Sequence, residues 1–273
     1  MDDTLPLISA ASLAERLWRL GAPAVIDVRR NGDFDADPRL VPGAVRAHPE
    51  LDASSLPVLP GASEIVVYCA HGRAVSQAAC ARLRAVGINA RYLEGGYAAW
   101  TALGLPTAAF RDPLGVAPSR WITRERPKID RIACPWLIRR FIDPRAEFFY
   151  VPTAVVLEEA RRLEAEPYDI PEVRFSHNGE QCSFDAVLRH FDLRASGLDR
   201  LATIVRGADT ARLDLAPQAS GLLAISLGLS ALHRDDLTML DEGLKVYDAL
   251  YAWCRSASAE THDWNPQAMT VRA

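Results

Sequence analysis

The sequence predicts an α/β first half followed by a helix-rich α+β second half, and three observations support this division. In the first half, short apolar runs of β-forming residues alternate with stretches of helical period, as at residues 65–68 and 75–86. Residues 104–120 contain three prolines and little periodicity, which is typical of a linker. From Trp121 onward helical patterns dominate and apolar strand patterns are few.

Composition narrows the class of protein. The chain has 273 residues, of which 49% are hydrophobic and 24% are charged, so we expect a globular protein with room for two domains. The net charge of −4 argues against a general nucleic-acid surface. No run approaches the roughly 18 apolar residues that span a membrane, and the acidic start does not resemble a secretory signal. Five dispersed cysteines then indicate free thiols in a reducing compartment, so we expect a cytoplasmic protein.

The first half reads as alternating helices and strands. Ser9 or Ser12 is expected to cap the first helix, and Leu13, Leu17 and Leu20 share one face of it. In chain order we predict a helix at 8–20, a strand at 24–28, a loop at 31–42, a strand at 65–68, a helix at 75–86, a strand at 89–93 and a helix through Trp100.

The stretch after the strand at 65–68 is the strongest functional signal. Cys69 is expected at the point where a strand ends and a tight loop leads into a helix. Backbone N–H groups and the helix dipole at such a place bind anions and lower the pKa of a thiol. Gly72 permits a sharp turn, and Arg73 adds a fixed positive charge. Cys69 is therefore a candidate nucleophile, against the alternative of an inert cysteine buried at a strand end.

Four motifs in order resemble the rhodanese (sulfurtransferase) family over about the first 105 residues. They are Ile26-Asp27-Val28-Arg29, Val41-Pro42-Gly43-Ala44, the loop that Cys69 opens, and Leu93-Glu94-Gly95-Gly96-Tyr97 with Trp100. The resemblance implies a parallel sheet flanked by helices, and no cofactor for this half. It also implies that Cys69 carries sulfur as a persulfide, from a donor such as thiosulfate to a thiol or cyanide. The substrate-binding loop would comprise Ala70, His71, Gly72, Arg73 and Ala74.

Two departures from the rhodanese pattern concern the substrate. Arg39-Leu40 stands where the family often has Gly-His, and Ala74 ends the loop where the family often has Arg or Thr. A phosphatase-like cysteine enzyme on the same fold is disfavoured by the six-residue loop, because a phosphate group needs a roomier one.

The second half is predicted to be mostly helical. We expect Pro135 in the first turn or at a kink of one helix, Ser183 as a helix cap, and an apolar central helix at 219–229. The predicted strands are 121–123, 148–151 and 173–175, and the predicted helices are 129–142, 155–165, 183–191, 198–205 (ended by Gly207), 219–229 and 235–254.

Residues 121–144, 175–185, 206–210 and 221–230 resemble the C-terminal domain of the chromate-resistance protein B family. The resemblance implies a link to chromate tolerance but no particular reaction. We accordingly predict a sulfurtransferase domain at 1–106, a linker at 107–119, a chromate-resistance domain at 120–256 and a loose tail at 257–273.

Two sets of side chains in the second half suggest ligand binding. The first set is closely spaced in the sequence and comprises His177, Glu180, Cys182 and Asp185. An imidazole, two carboxylates and a thiol could bind a divalent metal ion. Alternatively, Glu180 and Asp185 are only solvated and Cys182 is only buried. Further candidates for the site are Asp130, Arg131, Cys134 and Asp209. The second set is basic and suits tetrahedral oxyanions such as chromate, unless it is only a solvated helix face: Arg124, Arg126, Lys128, Arg131, Arg139 and Arg140.

The leading hypothesis is a sulfurtransferase fused to a domain that handles a metal or an oxyanion. The alternative is a chromate- or redox-responsive regulator whose second half binds a metal, an oxyanion or DNA. We find no convincing basic recognition helix, which together with the net negative charge weighs against DNA. We expect no membrane partner.

Overall fold

The computed structural model describes residues 5–18, 21–57, 59, 62–115 and 117–259. The strands in this part are β1 (Leu7–Ile8), β2 (Ala24–Asp27), β3 (Arg39–Leu40), β4 (Ala44–Arg46), β5 (Ile65–Tyr68), β6 (Ala90–Leu93), β7 (Ala108–Ala109), β8 (Arg120–Arg124), β9 (Glu147–Val151) and β10 (Glu166–Pro167). The α-helices are α1 (Ala10–Arg16), α2 (Asn31–Ala36), α3 (Ala74–Ala85), α4 (Gly96–Ala102), α5 (Asp130–Phe141), α6 (Val156–Leu163), α7 (Ser183–His190), α8 (Leu198–Asp209), α9 (Gln218–Leu232) and α10 (Asp236–Ala252).

The first half contains a five-stranded sheet with the order β1-β6-β5-β2-β4 in the described residues. Every pairing in it is parallel, with Val66 of β5 opposite Val25 of β2 and Arg91 of β6. Successive side chains of a strand point to opposite faces, so Val67 packs toward Leu83 of α3 while Val66 enters the larger core. The predicted parallel sheet flanked by helices is confirmed.

The loop predicted at 31–42 is wrong in two places. It contains helix α2 and the short strand β3, which pairs antiparallel with β7. Its many Asp and Gly residues suggested a loop, but Asp33 lies in the first turn of α2, where a carboxylate is favourable. Phe34 is buried and meets Phe110 edge to face, so packing outweighs the local sequence signal.

Ser9 does cap α1, accepting a hydrogen bond from the N–H of Ser12, and the predicted helix end at Leu20 lies outside the described residues.

The second half contains a smaller parallel sheet of order β10-β8-β9 among its described residues. Helix α5 runs through the core, and Pro135 lies inside it rather than at its first turn. Trp136 of α5 packs against Phe141 and against Tyr247 and Tyr251 of α10. Large aromatic side chains therefore join α5 to α10, which agrees with the predicted helix-rich α+β architecture.

Three local predictions in the second half are corrected by the structure. The predicted strand at 173–175 forms only an isolated bridge between Phe175 and Tyr168. Cys182, not Ser183, is the N-cap of α7, and the side chain of Asp185 accepts its backbone N–H. Helix α8 continues through Gly207, because a Cβ there would crowd Ala219 and the carbonyl of Arg212, so the glycine serves close packing instead of ending the helix.

Helix α9 is not the buried central helix that its apolar sequence predicts. Only Ala219, Leu222 and Ser226 of it are buried, and it packs mainly against α8. Ile225 and Leu232 are exposed, Leu232 to 78%. The apolar residues on all sides of α9 therefore form one face that packs in the core and another face that is exposed to solvent. In the described part of the chain, every helix is too short or too polar to cross a bilayer.

The two halves share a continuous hydrophobic core. Trp18 stacks on Phe141, with ring centroids 5.2 Å apart, and the N–H of Gly43 donates to the carbonyl of Phe141 at 2.7 Å. The segment predicted as a linker contains β7, and the N–H of Ala109 donates to the carbonyl of Phe191 at 2.8 Å. The domain boundaries stay a prediction, and most of the predicted tail lies outside the described residues.

Candidate functional sites

Cys69 lies directly after β5, and residues 69–73 connect that strand to α3. The carbonyl of Cys69 accepts the N–H of Tyr97 at 2.9 Å, and the carbonyl of Ala70 accepts the N–H of Ala98 at 2.9 Å. These two bonds fix the loop to the first turn of α4. The Cys69 side chain is 6% exposed, so its sulfur sits at the floor of the loop.

Hydrogen-bond donors surround the Cys69 sulfur. Its Sγ lies 3.2 Å from the hydroxyl oxygen of Ser76, in the first turn of α3. Burial opposes ionisation of this thiol, but the Ser76 hydroxyl and the backbone N–H groups of Ser76, His71 and Arg73 outweigh it. The pKa of Cys69 is consequently lowered. A lowered pKa increases the fraction of thiolate, which is the nucleophilic form.

Two glycines make this loop possible. Gly96 has a φ of +61°, and a Cβ on it would lie closer than 3.0 Å to the carbonyl of Cys69 and to the N–H groups of Gly72 and His71. Gly72 has a φ of +64°, and a Cβ on it would likewise lie closer than 3.0 Å to the carbonyl of Leu93. Backbone therefore packs on backbone under the sulfur, which only residues without a side chain allow.

The residues predicted to bind substrate lie between Cys69 and the first residue of α3, Ala74. His71, Arg73 and Ala74 are exposed, Ala70 is half-buried, and Gly72 is buried. The sequence reasoning assigned no role to Ser76, although its position seven residues after Cys69 puts it on the first turn of α3. The signal that could have found it is its spacing of three residues from Ala79 and seven from Leu83, which puts its hydroxyl on the buried face of α3.

In the second half, three carboxylates and a histidine converge. The Nε2 atom of His177 lies 3.0 Å from Asp209, 3.5 Å from Asp169 and 3.9 Å from Asp130. Asp130 begins α5 and Asp209 ends α8, so distant parts of the chain meet here. We call these four residues the carboxylate–histidine cluster.

Charges in the cluster shift each other's pKa. Burial, then Asp209 and Asp169, raise the pKa of Asp130 well above its ordinary value. A hydrogen bond to Asp169 raises the pKa of His177 to about 9, with Asp209 and Asp130 contributing. Burial opposes ionisation of Asp169, yet His177, Ser183 and the two arginines Arg131 and Arg124 lower its pKa. Three carboxylates thus face one imidazole, and the ionised forms of Asp130 and Asp209 are disfavoured.

The structure does not bring together the predicted metal-binding set. Glu180 is 82% exposed and paired with Arg212, and Asp185 holds Arg206 through both carboxylate oxygens. Cys182 is buried and, chiefly by burial and then by Asp130 and Asp185, has a raised pKa. Only His177 of that set joins the cluster. Short sequence spacing suggested one wrapped ion, but the helix cap at Cys182 turns these side chains in different directions.

The other candidates fall into two groups. Asp130 and Asp209 belong to the cluster, and Arg131 contacts Asp169 at 3.3 Å. Cys134 is buried, and burial followed by the charge of Asp130 raises the pKa of its thiol. Of the basic set, Arg124 also contacts Asp169, whereas Arg126, Arg139 and Arg140 form ion pairs with acidic residues of α10.

Each half of the chain matches a protein-family model. The model described as a rhodanese-like domain matches residues 9–103, and the model described as the ChrB C-terminal domain matches residues 121–254. Protein ChrB of Cupriavidus metallidurans is 37% identical over 144 residues, which cover 52% of this chain and 42% of that protein. The match thus spans less than half of this relative's length.

Solved structures similar to the first half include two with related names. A rhodanese-related protein from Thermoplasma volcanium is 28% identical with a TM-score of 0.32, covering 37% of this chain and 96% of that one. A thiosulfate sulfurtransferase from Pseudomonas aeruginosa is 26% identical with a TM-score of 0.36, covering 41% of this chain and 21% of that one.

Proposed function

We propose that Cys69 transfers sulfane sulfur, because the chain joins a rhodanese-like domain to a ChrB C-terminal domain. The donor is a small sulfur compound such as thiosulfate, and the acceptor is a thiol or cyanide. The observation that carries the proposal is the setting of the Cys69 sulfur, 3.2 Å from the Ser76 hydroxyl and among N–H groups that lower its pKa.

The proposed reaction has two steps. The Cys69 thiolate attacks the outer sulfur of thiosulfate, a sulfur–sulfur bond forms, and sulfite leaves with the electron pair of the broken bond. A nucleophilic acceptor then attacks the outer sulfur of the Cys69 persulfide. Cyanide leaves as thiocyanate, and the Cys69 thiolate is regenerated with the electron pair of the second broken bond.

The loop suits both anions in this cycle. The N–H groups of His71 and Arg73 stabilise the thiolate, and such donors would also favour a persulfide anion in the same loop. Arg73 is exposed and adds positive charge at the mouth of the loop, where a doubly negative donor would enter. No cofactor is needed for either step.

Intact-mass measurement after thiosulfate treatment tests the proposal. The wild-type chain is expected to gain the mass of one sulfur atom, located on Cys69 by peptide mapping, and to lose it on addition of cyanide. Cys69→Ser is expected to abolish both the adduct and thiocyanate formation.

Cys80→Ser is the matched control, because Cys80 is buried in the adjoining helix and burial raises the pKa of its thiol. This variant is expected to transfer sulfur like the wild type. Sulfur transfer at the wild-type rate by Cys69→Ser would contradict the proposal.

The second candidate function is regulatory, with the second half binding chromate, another oxyanion or a metal ion. This function is favoured because Arg124 and Arg131 contact the carboxylate–histidine cluster. Together they form a charged site that is separate from the Cys69 loop. A net charge of −4 disfavours DNA as the ligand. A rise in melting temperature of the full chain with chromate, absent in Arg131→Gln, would support an oxyanion.

The proposed compartment is the cytoplasm. Its support is that all five cysteines are free thiols in the structure, which suits a reducing environment. Of the five, Cys69 is the one whose pKa is lowered, so a reducing compartment would keep it available for sulfur.

A further inference from the structure

We propose that Asp130, His177 and Asp209 form a binding site for one divalent metal ion of the oxygen- and imidazole-binding class, such as Mn²⁺. The three residues come from the start of α5, the loop before α7 and the end of α8. One ligand atom of each lies within 4.8 Å of the ligand atoms of the other two. The proposal deepens the ion-binding role suggested for the second half and does not depend on sulfur transfer by Cys69.

The separations between these atoms fit a shared ion. Ligand atoms about 2.0–2.2 Å from a first-row metal lie about 3–3.5 Å from one another when they occupy neighbouring positions. His177 Nε2 lies 3.0 Å from Asp209 Oδ2 and 3.9 Å from Asp130 Oδ2, which brackets this range. The His177–Asp209 pair therefore already has this separation, and the His177–Asp130 pair is within a few tenths of an ångström of it.

An independent observation concerns the buried carboxylate of Asp130, which is 0% exposed. Its Oδ2 accepts the N–H groups of Ser183 and Phe184, at 2.5 and 3.2 Å. Its Oδ1 is equally buried and accepts no hydrogen bond from the described residues. A buried carboxylate oxygen without a donor is costly, and a cation coordinated at this carboxylate would compensate it.

The neighbours of the site define the class of metal. Asp169 is already engaged, because Oδ1 accepts the Ser183 hydroxyl at 2.9 Å and Oδ2 contacts Arg124 and Arg131. Asp169 therefore holds its neighbouring side chains in position and does not bind the ion itself. The remaining donors are two carboxylates and one imidazole, with no thiolate, and such oxygen and nitrogen donors suit a divalent ion such as Mn²⁺.

The site has an open side. The His177 side chain is 42% exposed, so the site adjoins solvent on this side, and an ion there could keep water on its remaining positions. The carboxylates of Asp130 and Asp209 are largely buried, so the ion would lie at the bottom of this opening. Arg131, which contacts Asp169, would be nearby.

Mn²⁺ binding by the full chain, stripped with a chelator, tests the proposal. Free aqueous Mn²⁺ has a strong electron paramagnetic resonance signal that is lost on binding, so the signal reports affinity and stoichiometry without any activity assay. The wild type is expected to bind one ion. His177→Gln and Asp209→Asn are each expected to bind at least about tenfold more weakly.

Two controls make the result specific. Asp241→Asn removes an exposed carboxylate that pairs with Arg139, and it matches the chemistry of Asp209→Asn. Glu180→Gln alters the same loop as His177 without touching the cluster. Both are expected to bind Mn²⁺ like the wild type, and circular dichroism checks that each variant is folded.

Three outcomes would overturn the proposal. They are a wild type that binds no ion, unchanged affinity in folded His177→Gln and Asp209→Asn, or a loss of binding in Glu180→Gln equal to that in His177→Gln. A melting shift with chromate but no Mn²⁺ binding would leave the regulatory role of the second half standing and remove the metal site.

Discussion

Cys69 lies in the loop that leads into α3 and Cys182 is the N-cap of α7, yet their thiols have opposite character. Cys69 precedes α3, and hydrogen-bond donors lower its pKa despite burial. Cys182 caps α7, and burial together with Asp130 and Asp185 raises its pKa. A helix terminus therefore does not by itself make a reactive cysteine. The direction of each pKa shift is set by the groups around the sulfur, which are hydrogen-bond donors at Cys69 and two carboxylates in a buried setting at Cys182.

The largest expected effect is the difference in reactivity between these two thiols. At neutral pH we expect iodoacetamide to alkylate Cys69 at least about a hundred times faster than Cys182, because Cys182 is protonated and fully buried. Peptide-resolved mass spectrometry measures both rates in one sample. In denaturant the two rates should become similar, and an equally fast Cys182 in the folded chain would break the comparison.

The backbone packing beneath Cys69 gives the next effect. Gly96→Ala is expected to lower the free energy of unfolding by about 3 kcal/mol, because it combines a left-handed backbone with overlap on the Cys69 loop. Gly104→Ala is the matched control, since Gly104 has a φ of +64° but nothing within 4 Å of an added Cβ. It should cost about 1 kcal/mol. Urea unfolding measures both, and equal losses would mean that the close packing contributes nothing.

Ser76→Ala should sharpen the comparison by removing one donor from Cys69. Losing this hydrogen bond is expected to raise the pKa of Cys69 toward its ordinary value, because the Ser76 hydroxyl stabilises the thiolate. The thiolate fraction at neutral pH then falls, but the more basic thiolate is a better nucleophile, so sulfur transfer should slow only about fourfold. Thiocyanate formation at neutral pH measures this, and the rate should recover at higher pH. A slower rate at every pH would point to misplacement of Cys69 instead.

Arg73→Ala is expected to have the smallest effect. Its exposed charge attracts the thiosulfate dianion through solvent, so its loss should raise the KM for thiosulfate about two- to threefold and leave kcat nearly unchanged. The difference should shrink in high salt, since salt screens exposed charges. A large fall in kcat would mean that Arg73 acts on the reacting atoms.

Local signals in the sequence were sufficient to predict the strand, loop and helix around Cys69. The apolar run of β5, the Gly-Arg loop and the helical period of α3 adjoin one another, so their contacts are largely local. The Gly95-Gly96 turn was also visible in the sequence, but its role under the Cys69 loop depends on the pairing of β5 with β6.

The carboxylate–histidine cluster could be predicted only in part, because its members meet through tertiary packing. Asp130 and Asp209 are brought together when α5 and α8 pack, and the N–H of Asp130 donates to Asp209 at 3.4 Å. Nothing in the local sequence separates Asp209, which joins the cluster, from Asp185, which pairs with Arg206. The exposed face of α9 was missed for a similar reason, since an apolar sequence does not say how many neighbours a helix has.

The most direct test of the account is the pH dependence of Cys69 alkylation. Only the thiolate reacts, so the rate rises with pH through the pKa of the thiol, and a lowered pKa moves this midpoint to lower pH. The reference is the same residue in the denatured chain, measured in the same way by peptide-resolved mass spectrometry. We predict a lower midpoint in the folded chain than in the denatured one. A midpoint at or above the denatured value would contradict the proposal that the loop prepares Cys69 as a sulfur carrier.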